Sequence, residues 1–168
     1  IESVLEAKRL ASKYGKMFVL NPAPFQSVPD ELLYGIDYIT PNETEAEFFT
    51  GIPVNDDKSA GLAALRFKEM GVKNVIITLG KRGVFYSTDT KSGIVPTTDL
   101  KPVDTTGAGD AFNGGFTVAM AEGKDIETAL KFANCVASIS VTRRGAAPAM
   151  PNRAEVVKLL SDYYGVEY

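Results

Sequence analysis

The stretch with the clearest chemical content is a glycine-rich segment that leads into a helical pattern. Gly107, Ala108 and Gly109 place small residues where a predicted loop becomes a predicted helix. The first amides of a helix have no intrahelical acceptor and the helix dipole is positive there, so such a start can bind a phosphate group. Asp110 follows directly. A carboxylate beside a transferring phosphoryl group can accept the proton of an attacking alcohol.

A purely structural explanation of this segment stands beside the chemical one. Asp104 or Thr105 would cap the helix, and Asp110 would be favourable in its first turn. The segment matches neither the GxxxxGK[ST] phosphate loop nor the GxGxxG dinucleotide fingerprint. Residue types and spacing alone leave both explanations open.

Two further groups of residues could contact a nucleotide or its metal ion, and each has an ordinary alternative. Asn42 and Glu45 form an Asn-x-x-Glu pair between a predicted strand and a predicted helix. The same pattern is that of a capping box, in which the two residues cap each other's backbone amides. Asn134 lies within a long predicted helix. Its alternative is a partly exposed helix asparagine.

A tight turn between two predicted strands forms another candidate site. It contains Thr78, Gly80, Lys81 and Gly83. The alternative is a hairpin whose glycines supply positive φ angles and whose lysine is solvated. The turn pattern therefore predicts the local geometry more firmly than it predicts a ligand.

Short apolar runs alternate with helical patterns along the chain, and these elements must position the candidate residues. The runs predict strands over residues 17–20, 38–40, 74–78, 84–87 and 93–97, and helices over 4–12, 43–50, 59–70, 108–121, 126–141 and 153–164. This alternation predicts an α/β fold with a mostly parallel sheet covered on both faces. Ligands bind such sheets beyond the carboxyl ends of the strands, where the candidate loops fall.

Composition excludes several classes of function. The chain has 168 residues, no histidine, one cysteine and a net charge of −3. The absence of histidine excludes His-dependent triads and most zinc sites, and the charge argues against a nucleic-acid or anionic-membrane binder. Cys135 cannot form an internal disulfide and is expected to lie packed in a helix. With no signal peptide or long apolar run, a cytoplasmic protein is expected.

The segment from Asp104 to Phe116 resembles the C-terminal signature of the ribokinase family, the PfkB carbohydrate kinases. Other stretches resemble the family's loops in the same order: residues 20–24 (LNPAP), 40–47 (TPNETEAE), 77–83 (ITLGKRG) and 141–146 (VTRRGA). The resemblance covers essentially the whole chain. It implies a three-layer α/β/α ribokinase-like fold with a mostly parallel sheet. Residues 1–168 would be its C-terminal nucleotide-binding and catalytic part, and the N-terminal sugar-binding part and lid are expected to be absent.

The resemblance also implies roles for individual residues. The backbone of Gly107, Ala108 and Gly109 matches the family's anion hole, and Asp110 matches its general base. Asn42 and Glu45 match residues that help hold Mg²⁺, partly through water. The matches to ATP-contacting positions are Asn42, Thr78, Gly80, Lys81, Gly83, Gly109 and Asn134. Those to potassium ligands, mostly backbone carbonyls, are Asp104, Thr106, Ser140, Arg143, Gly145 and Ala149. Ala149 departs from the common serine and offers no hydroxyl.

The function implied is ATP-dependent phosphorylation of the primary hydroxyl of a sugar, with D-ribose favoured. The chain opens on Ile1 within a helical pattern, which is typical of a cut inside a longer protein. We therefore expect it to bind nucleotide but to turn over poorly by itself. A homodimer is expected for the intact protein, and self-association for the fragment. Two alternatives stay open: a nucleotide-binding or assembly module without catalysis, and a kinase of fructose, a nucleoside or a vitamin.

Overall fold

The structure is a computed structural model that describes all 168 residues. The strands are β1 (Val19–Leu20), β2 (Tyr38–Ile39), β3 (Asn74–Thr78), β4 (Val84–Ser87) and β5 (Ser92–Val95). The α-helices are α1 (Glu2–Lys13), α2 (Asp30–Leu33), α3 (Glu43–Thr50), α4 (Asp57–Glu69), α5 (Ala108–Ala121), α6 (Ile126–Ser140) and α7 (Arg153–Tyr164). Short 3-10 helices span Gly80–Arg82 and Ala147–Ala149.

The five strands form one open sheet in the order β1-β2-β3-β4-β5. β1 is parallel to β2, and β2 is parallel to β3. The side chains of Val75, Ile76 and Ile77 in β3 are fully buried. Such a continuous apolar run is typical of a strand with both faces covered. The prediction of an α/β fold with a mostly parallel sheet is confirmed, and β5 lies at one edge of the sheet.

The chain divides into two compact units, of which the first contains residues 1–79 and 85–94. Its core is one cluster of apolar side chains around the fully buried Phe67. The single turn α2 adds Leu32 and Leu33 to this core. The sequence did not predict α2, because four residues are too few to show a helical period. This unit carries β1 to β3, whose carboxyl ends hold Asn42 and Thr78.

The second unit contains residues 80–84 and 95–168. It consists mainly of α5, α6 and α7. A Cβ atom on Gly115 of α5 would lie 2.8 Å from the Val136 side chain and 3.0 Å from Ala133 Cα of α6. The absence of a side chain at this point therefore allows the two helices to approach closely. Cys135 on α6 is fully buried, and burial raises the pKa of its thiol to about 12, as expected for a packed cysteine.

No helix of this chain combines the length and the apolar character that crossing a membrane requires.

Candidate functional site

The start of α3 is closed by its own side chains. Asn42 Oδ1 accepts a hydrogen bond from the Glu45 amide at 2.8 Å, and Glu45 Oε2 accepts one from the Asn42 amide at 2.8 Å. This capping box is the structural alternative that the sequence offers for the pair. Asn42 also forms an isolated parallel bridge with Thr78, whose amide donates to the Pro41 carbonyl at 2.9 Å. The fold thus brings Asn42, Glu45 and Thr78 together at the ends of β2 and β3.

The oxygens at the start of α3 fit a sparse magnesium site. The capping box uses one lone pair each of Asn42 Oδ1 and Glu45 Oε2. A carbonyl or carboxylate oxygen has a second lone pair for a water or a cation. Magnesium keeps several waters and takes few protein oxygens, so one amide and one carboxylate suit it. Asn42 is exposed, whereas Glu45 is buried. We therefore expect Asn42 to be the more accessible of the two.

The turn after β3 is fixed by two glycines with positive φ, as the sequence predicts. Gly80 has φ of 53° and begins a 3-10 turn, and the Gly83 amide donates to the Gly80 carbonyl at 3.1 Å. Gly83 has φ of 95°, and a Cβ there would lie 2.2 Å from the Val95 carbonyl oxygen. Only glycine allows this backbone approach. Lys81 lies exposed within the turn.

The start of α5 is open. Its N-cap is Gly107, with φ of 74°, and no side chain caps the helix. The Ala108 amide donates to the Thr105 carbonyl at 3.2 Å, whereas the amides of Gly109 and Asp110 lie in the first turn, where no intrahelical acceptor exists. Both residues are exposed. The alternative in which Asp104 or Thr105 caps the helix is wrong.

The carboxylate of Asp104 joins two loops instead of capping α5. Its Oδ1 accepts from the Thr106 amide at 3.0 Å, and its Oδ2 accepts from the Gly145 amide at 2.9 Å. These two backbone hydrogen bonds, that from Gly145 first, lower the pKa of Asp104 to about 2. The amides of Val103 and Asp104 both approach the Val141 carbonyl oxygen, at 2.7 and 3.1 Å. A carboxylate that stays ionised fits a nearby cation.

The remaining residues of the expected potassium set follow this junction along the chain. The Arg143 amide donates to the Ser140 carbonyl at 3.1 Å, and the Arg143 guanidinium forms an ion pair with Glu155. Ala149 is buried at the end of a 3-10 turn, and its amide donates to the Ala146 carbonyl at 3.0 Å. Because a guanidinium is positively charged and has no acceptor, Arg143 could serve a cation only through its carbonyl.

Gly107 and the second loop approach each other closely. A Cβ on Gly107 would lie 3.1 Å from Ala146 Cβ and 3.4 Å from Ala146 Cα. The loop that carries the candidate anion site therefore lies against the loop that carries Gly145. The structure brings Asp104, Thr106 and Gly107 to the same junction.

Asn134 is buried in α6, so the alternative of a partly exposed helix asparagine is wrong. Its Nδ2 lies 3.1 Å from the Pro96 carbonyl oxygen, 3.3 Å from that of Val95 and 3.4 Å from the Tyr164 hydroxyl. Tyr164 is the neighbour that sequence reasoning missed. The two residues are 30 positions apart on different helices, and no local pattern links them.

Comparison with known proteins shows to which family the chain belongs. The profile of the pfkB family carbohydrate kinases matches residues 1–153. The chain belongs to this family. The expected family resemblance is thus confirmed, and the glycine-rich start of α5 lies within the matched part.

The similar proteins are about twice as long as this chain. The ribokinase of Haemophilus influenzae is 49% identical over 154 residues, which cover 92% of this chain and 50% of that protein. The ribokinase of Bacillus subtilis is 43% identical over 161 residues, covering 95% and 52%. The structure of Arabidopsis thaliana ribokinase complexed with ribose and ATP matches with a TM-score of 0.90 and 37% identity, over 94% of this chain and 51% of that one. This pfkB-family chain therefore spans about half the length of its relatives.

Proposed function

We propose that this chain supplies the nucleotide-binding and catalytic part of an ATP-dependent sugar kinase. The enzyme phosphorylates a primary hydroxyl, with D-ribose as substrate and D-ribose 5-phosphate as product. The observation that carries the proposal is the open start of α5, where no side chain caps the helix and the residues Gly109 and Asp110 are both exposed. The identity to two bacterial ribokinases supports the choice of reaction, and the ribose and ATP of the Arabidopsis thaliana complex support the choice of reactants.

In the proposed reaction Asp110 acts as general base. It accepts the proton of the primary hydroxyl as the sugar oxygen attacks the terminal phosphorus of ATP. A sugar O–P bond forms while the bond between that phosphorus and the bridging oxygen breaks, and ADP leaves with the electron pair. The backbone from Gly107 to Gly109 forms an anion hole that stabilises the charge on the phosphoryl oxygens. The proton leaves Asp110 for solvent afterwards.

The nucleotide and cation contacts are part of the same proposal. The residues assigned to ATP are Asn42, Thr78, Gly80, Lys81, Gly83, Gly109 and Asn134. Asn42 and Glu45 would hold Mg²⁺, partly through water, and the ion would neutralise phosphate charge. The residues assigned to a potassium activator are Asp104, Thr106, Ser140, Arg143, Gly145 and Ala149. The low pKa of Asp104 supports a cation beside it. We place this activity in the cytoplasm.

This chain by itself is proposed to bind nucleotide and to phosphorylate sugar poorly. It spans about half the length of its relatives, and sugar-binding residues are expected in the other half. Binding energy from the sugar orients its hydroxyl, so losing those contacts lowers kcat as well as raising KM. Because the chain spans only about half the length of these relatives, a second candidate function is a nucleotide-binding or assembly module without catalysis. Substrate profiling of the intact protein separates ribose from fructose, a nucleoside or a vitamin.

The test is a calorimetric titration of the chain with Mg·ATP, followed by ribose and an assay of ADP release in the same sample. The proposal expects binding without appreciable turnover. Ribose-dependent turnover at the rate of an intact relative would contradict the proposed dependence on the other half. Absence of any ATP binding would contradict the nucleotide role of this chain.

A further inference from the structure

The helix α5 has an exposed face that differs from the outer face of an ordinary surface helix. Phe112 and Phe116 on one side of the helix are buried. The exposed face of α5 follows a helical spacing and carries Asp110, Gly114, Val118 and Ala121. Asp110 is the one charged residue in the 14 of α5. A helix that is apolar or small on nearly every side is typical of one that is buried on nearly every side.

The outer face of α7 shows the usual pattern for comparison. Its exposed residues include Arg153, Lys158, Ser161 and Asp162. Lys158 forms an ion pair with Asp162, and Arg153 forms one with Glu122. The exposed face of α5 instead offers the side chain of Val118, which is 45% exposed, and residues with no more than a methyl group. An exposed apolar helix face of this kind marks a place where another part of a protein packs.

Gly114 has no structural explanation within this chain. Glycine in the interior of a helix destabilises it relative to alanine. At Gly115 the reason is visible, because a Cβ there would lie 2.8 Å from the Val136 side chain of α6. At Gly114 a Cβ would meet nothing within 4 Å. A close contact from outside this chain would explain this glycine, as α6 explains its neighbour.

The polar side chains of α5 do not prevent its exposed face from being covered. Asn113 Nδ2 donates to the Gly109 carbonyl at 2.9 Å, and Thr117 Oγ1 donates to the Asn113 carbonyl at 2.8 Å. Both groups therefore have partners in the backbone of the helix itself. A hydrogen-bonded group can be buried without the penalty that an unpaired donor carries. Asp110 is the exception, because a carboxylate needs a polar or charged partner when it is covered.

The length of the relatives indicates what covers this face. The matched part is 50% of the Haemophilus influenzae ribokinase and 51% of the Arabidopsis thaliana structure. Each of these proteins therefore contains about as much chain again outside the match. A second copy of this chain fits less well, because the exposed face of α5 offers no cation to the Asp110 carboxylate that it would bury.

We infer that the exposed face of α5 is the surface on which the unmatched half of a ribokinase-length protein packs. Gly114 allows the backbone of that half to approach closely, and Val118 and Ala121 provide apolar contact. Asp110 lies in the first turn of the same face, so the half that covers α5 also borders the proposed base. On the proposed function, on which this step rests, the polar partner of Asp110 is the sugar hydroxyl that the covering half holds.

The test uses a thiol probe on the exposed face of α5. Val118→Cys is made in this chain alone and in a joined protein, in which the unmatched half of the Haemophilus influenzae ribokinase is linked to this chain in the order of that relative. Cys135 does not interfere, because it is fully buried and burial raises the pKa of its thiol. Labelling of residue 118 by a maleimide, measured by peptide mass, should be roughly tenfold or more slower in the joined protein, because labelling then requires the interface to open.

Ser161→Cys is the matched control. Ser161 is exposed on the outer face of α7, so a cysteine there should label at the same rate in both proteins. Adding Gly114→Leu to the Val118→Cys variant should restore fast labelling in the joined protein, because a leucine side chain would hold the two halves apart. In this chain alone the same substitution should leave the labelling rate unchanged, since a Cβ at this position meets nothing within 4 Å.

Two preparations report on the contact: the joined protein, and the two halves refolded together as separate chains. Undiminished labelling of residue 118 in both preparations would overturn the inference. Labelling that becomes slower in this chain alone as its concentration rises would also overturn it, because a second copy would then cover α5.

Ribose phosphorylation by the joined protein is assayed separately from labelling. Protection of residue 118 without turnover would support the contact at α5 and contradict the proposed function. Turnover with residue 118 unprotected would support the proposed function and overturn the inference.

Discussion

The starts of α3 and α5 are built in opposite ways. At α3 the side chains of Asn42 and Glu45 each cap the other's amide. At α5 the N-cap is Gly107, no side chain caps the helix, and the residues Gly109 and Asp110 are exposed. Satisfied amides stabilise a helix by about 1 kcal/mol, whereas open amides forgo that gain and remain available to a ligand. The contrast means that the start of α5, unlike that of α3, is left without a side-chain cap that would compete with an anion.

A third helix start shows what a capping box alone implies. α7 begins with Asn152 and Glu155, which cap each other in the same way as the pair at α3. Nothing at α7 suggests a metal ion, so the box does not by itself indicate one. What distinguishes the α3 pair is the bridge between Asn42 and Thr78 at the carboxyl ends of two parallel strands.

The largest expected effect comes from the open helix start. Asp110→Asn, made at the matching aspartate of an intact relative, should lower kcat by about 10²–10⁴-fold, the usual contribution of a general base. In this chain the same substitution should leave Mg·ATP affinity nearly unchanged, because a base acts mainly in the transition state. Steady-state kinetics and calorimetry are the measurements. Asp99→Asn, at an exposed loop carboxylate, is the control and should change neither quantity. A rate within a few-fold of the unchanged relative would mean that Asp110 is not the base.

Substitutions at the capping boxes of α3 and α7 should have smaller effects than the substitution at Asp110. Asn42→Ala and Asn152→Ala should each lower the free energy of unfolding by about 1 kcal/mol, because each removes the acceptor of one capping box. Urea denaturation measures this loss. Only Asn42→Ala should also weaken the effect of Mg²⁺ on ATP affinity. If both variants or neither variant changed the magnesium dependence, the assignment of Asn42 to the metal site would be wrong.

Low pH should weaken the contribution of the Asp104 carboxylate, which joins two loops beside α5, to the stability of the fold. The pKa of Asp104 is lowered from 3.8 to about 2 in the folded chain, so its charge stabilises the fold above pH 3.8. That contribution should be lost as the pH falls from about 4 to about 2, where the carboxylate becomes protonated. Asp104→Asn should therefore show a flatter dependence of stability on pH in this range, measured by urea midpoints. An unchanged dependence would contradict the hydrogen bonds to Thr106 and Gly145 as its cause.

Local signals were sufficient to predict much of the fold. The bounds of α3, β3, β4, α5 and α7 agree with the predicted ranges, because caps, glycines and apolar runs mark them in the sequence itself. The capping box at Asn42 and the positive φ angles at Gly80 and Gly83 follow from equally local patterns.

Non-local contacts could not be predicted. The sequence suggests Asp104 as an ordinary helix cap. In the structure, however, one of its carboxylate oxygens accepts a hydrogen bond from the amide of Gly145, which lies 41 residues away. The burial of Asn134 could not be predicted either, because Val95, Pro96 and Tyr164 approach it only in the folded chain. Residue types thus suggested the candidate residues, whereas the hydrogen bonds of Asp104 and Asn134 depend on contacts that have no sequence signature.

The most direct test of an anion site at α5 uses two glycines of that helix. A Cβ on Gly109 or on Gly114 would meet nothing within 4 Å, so each Gly→Ala substitution should raise the free energy of unfolding by up to about 1 kcal/mol. Gly109→Ala should at the same time weaken binding of Mg·ATP in calorimetry, because its methyl group would project into the proposed phosphate site, whereas Gly114→Ala should bind as the unchanged chain does. Undiminished ATP affinity in a stabilised Gly109→Ala variant would contradict the anion site.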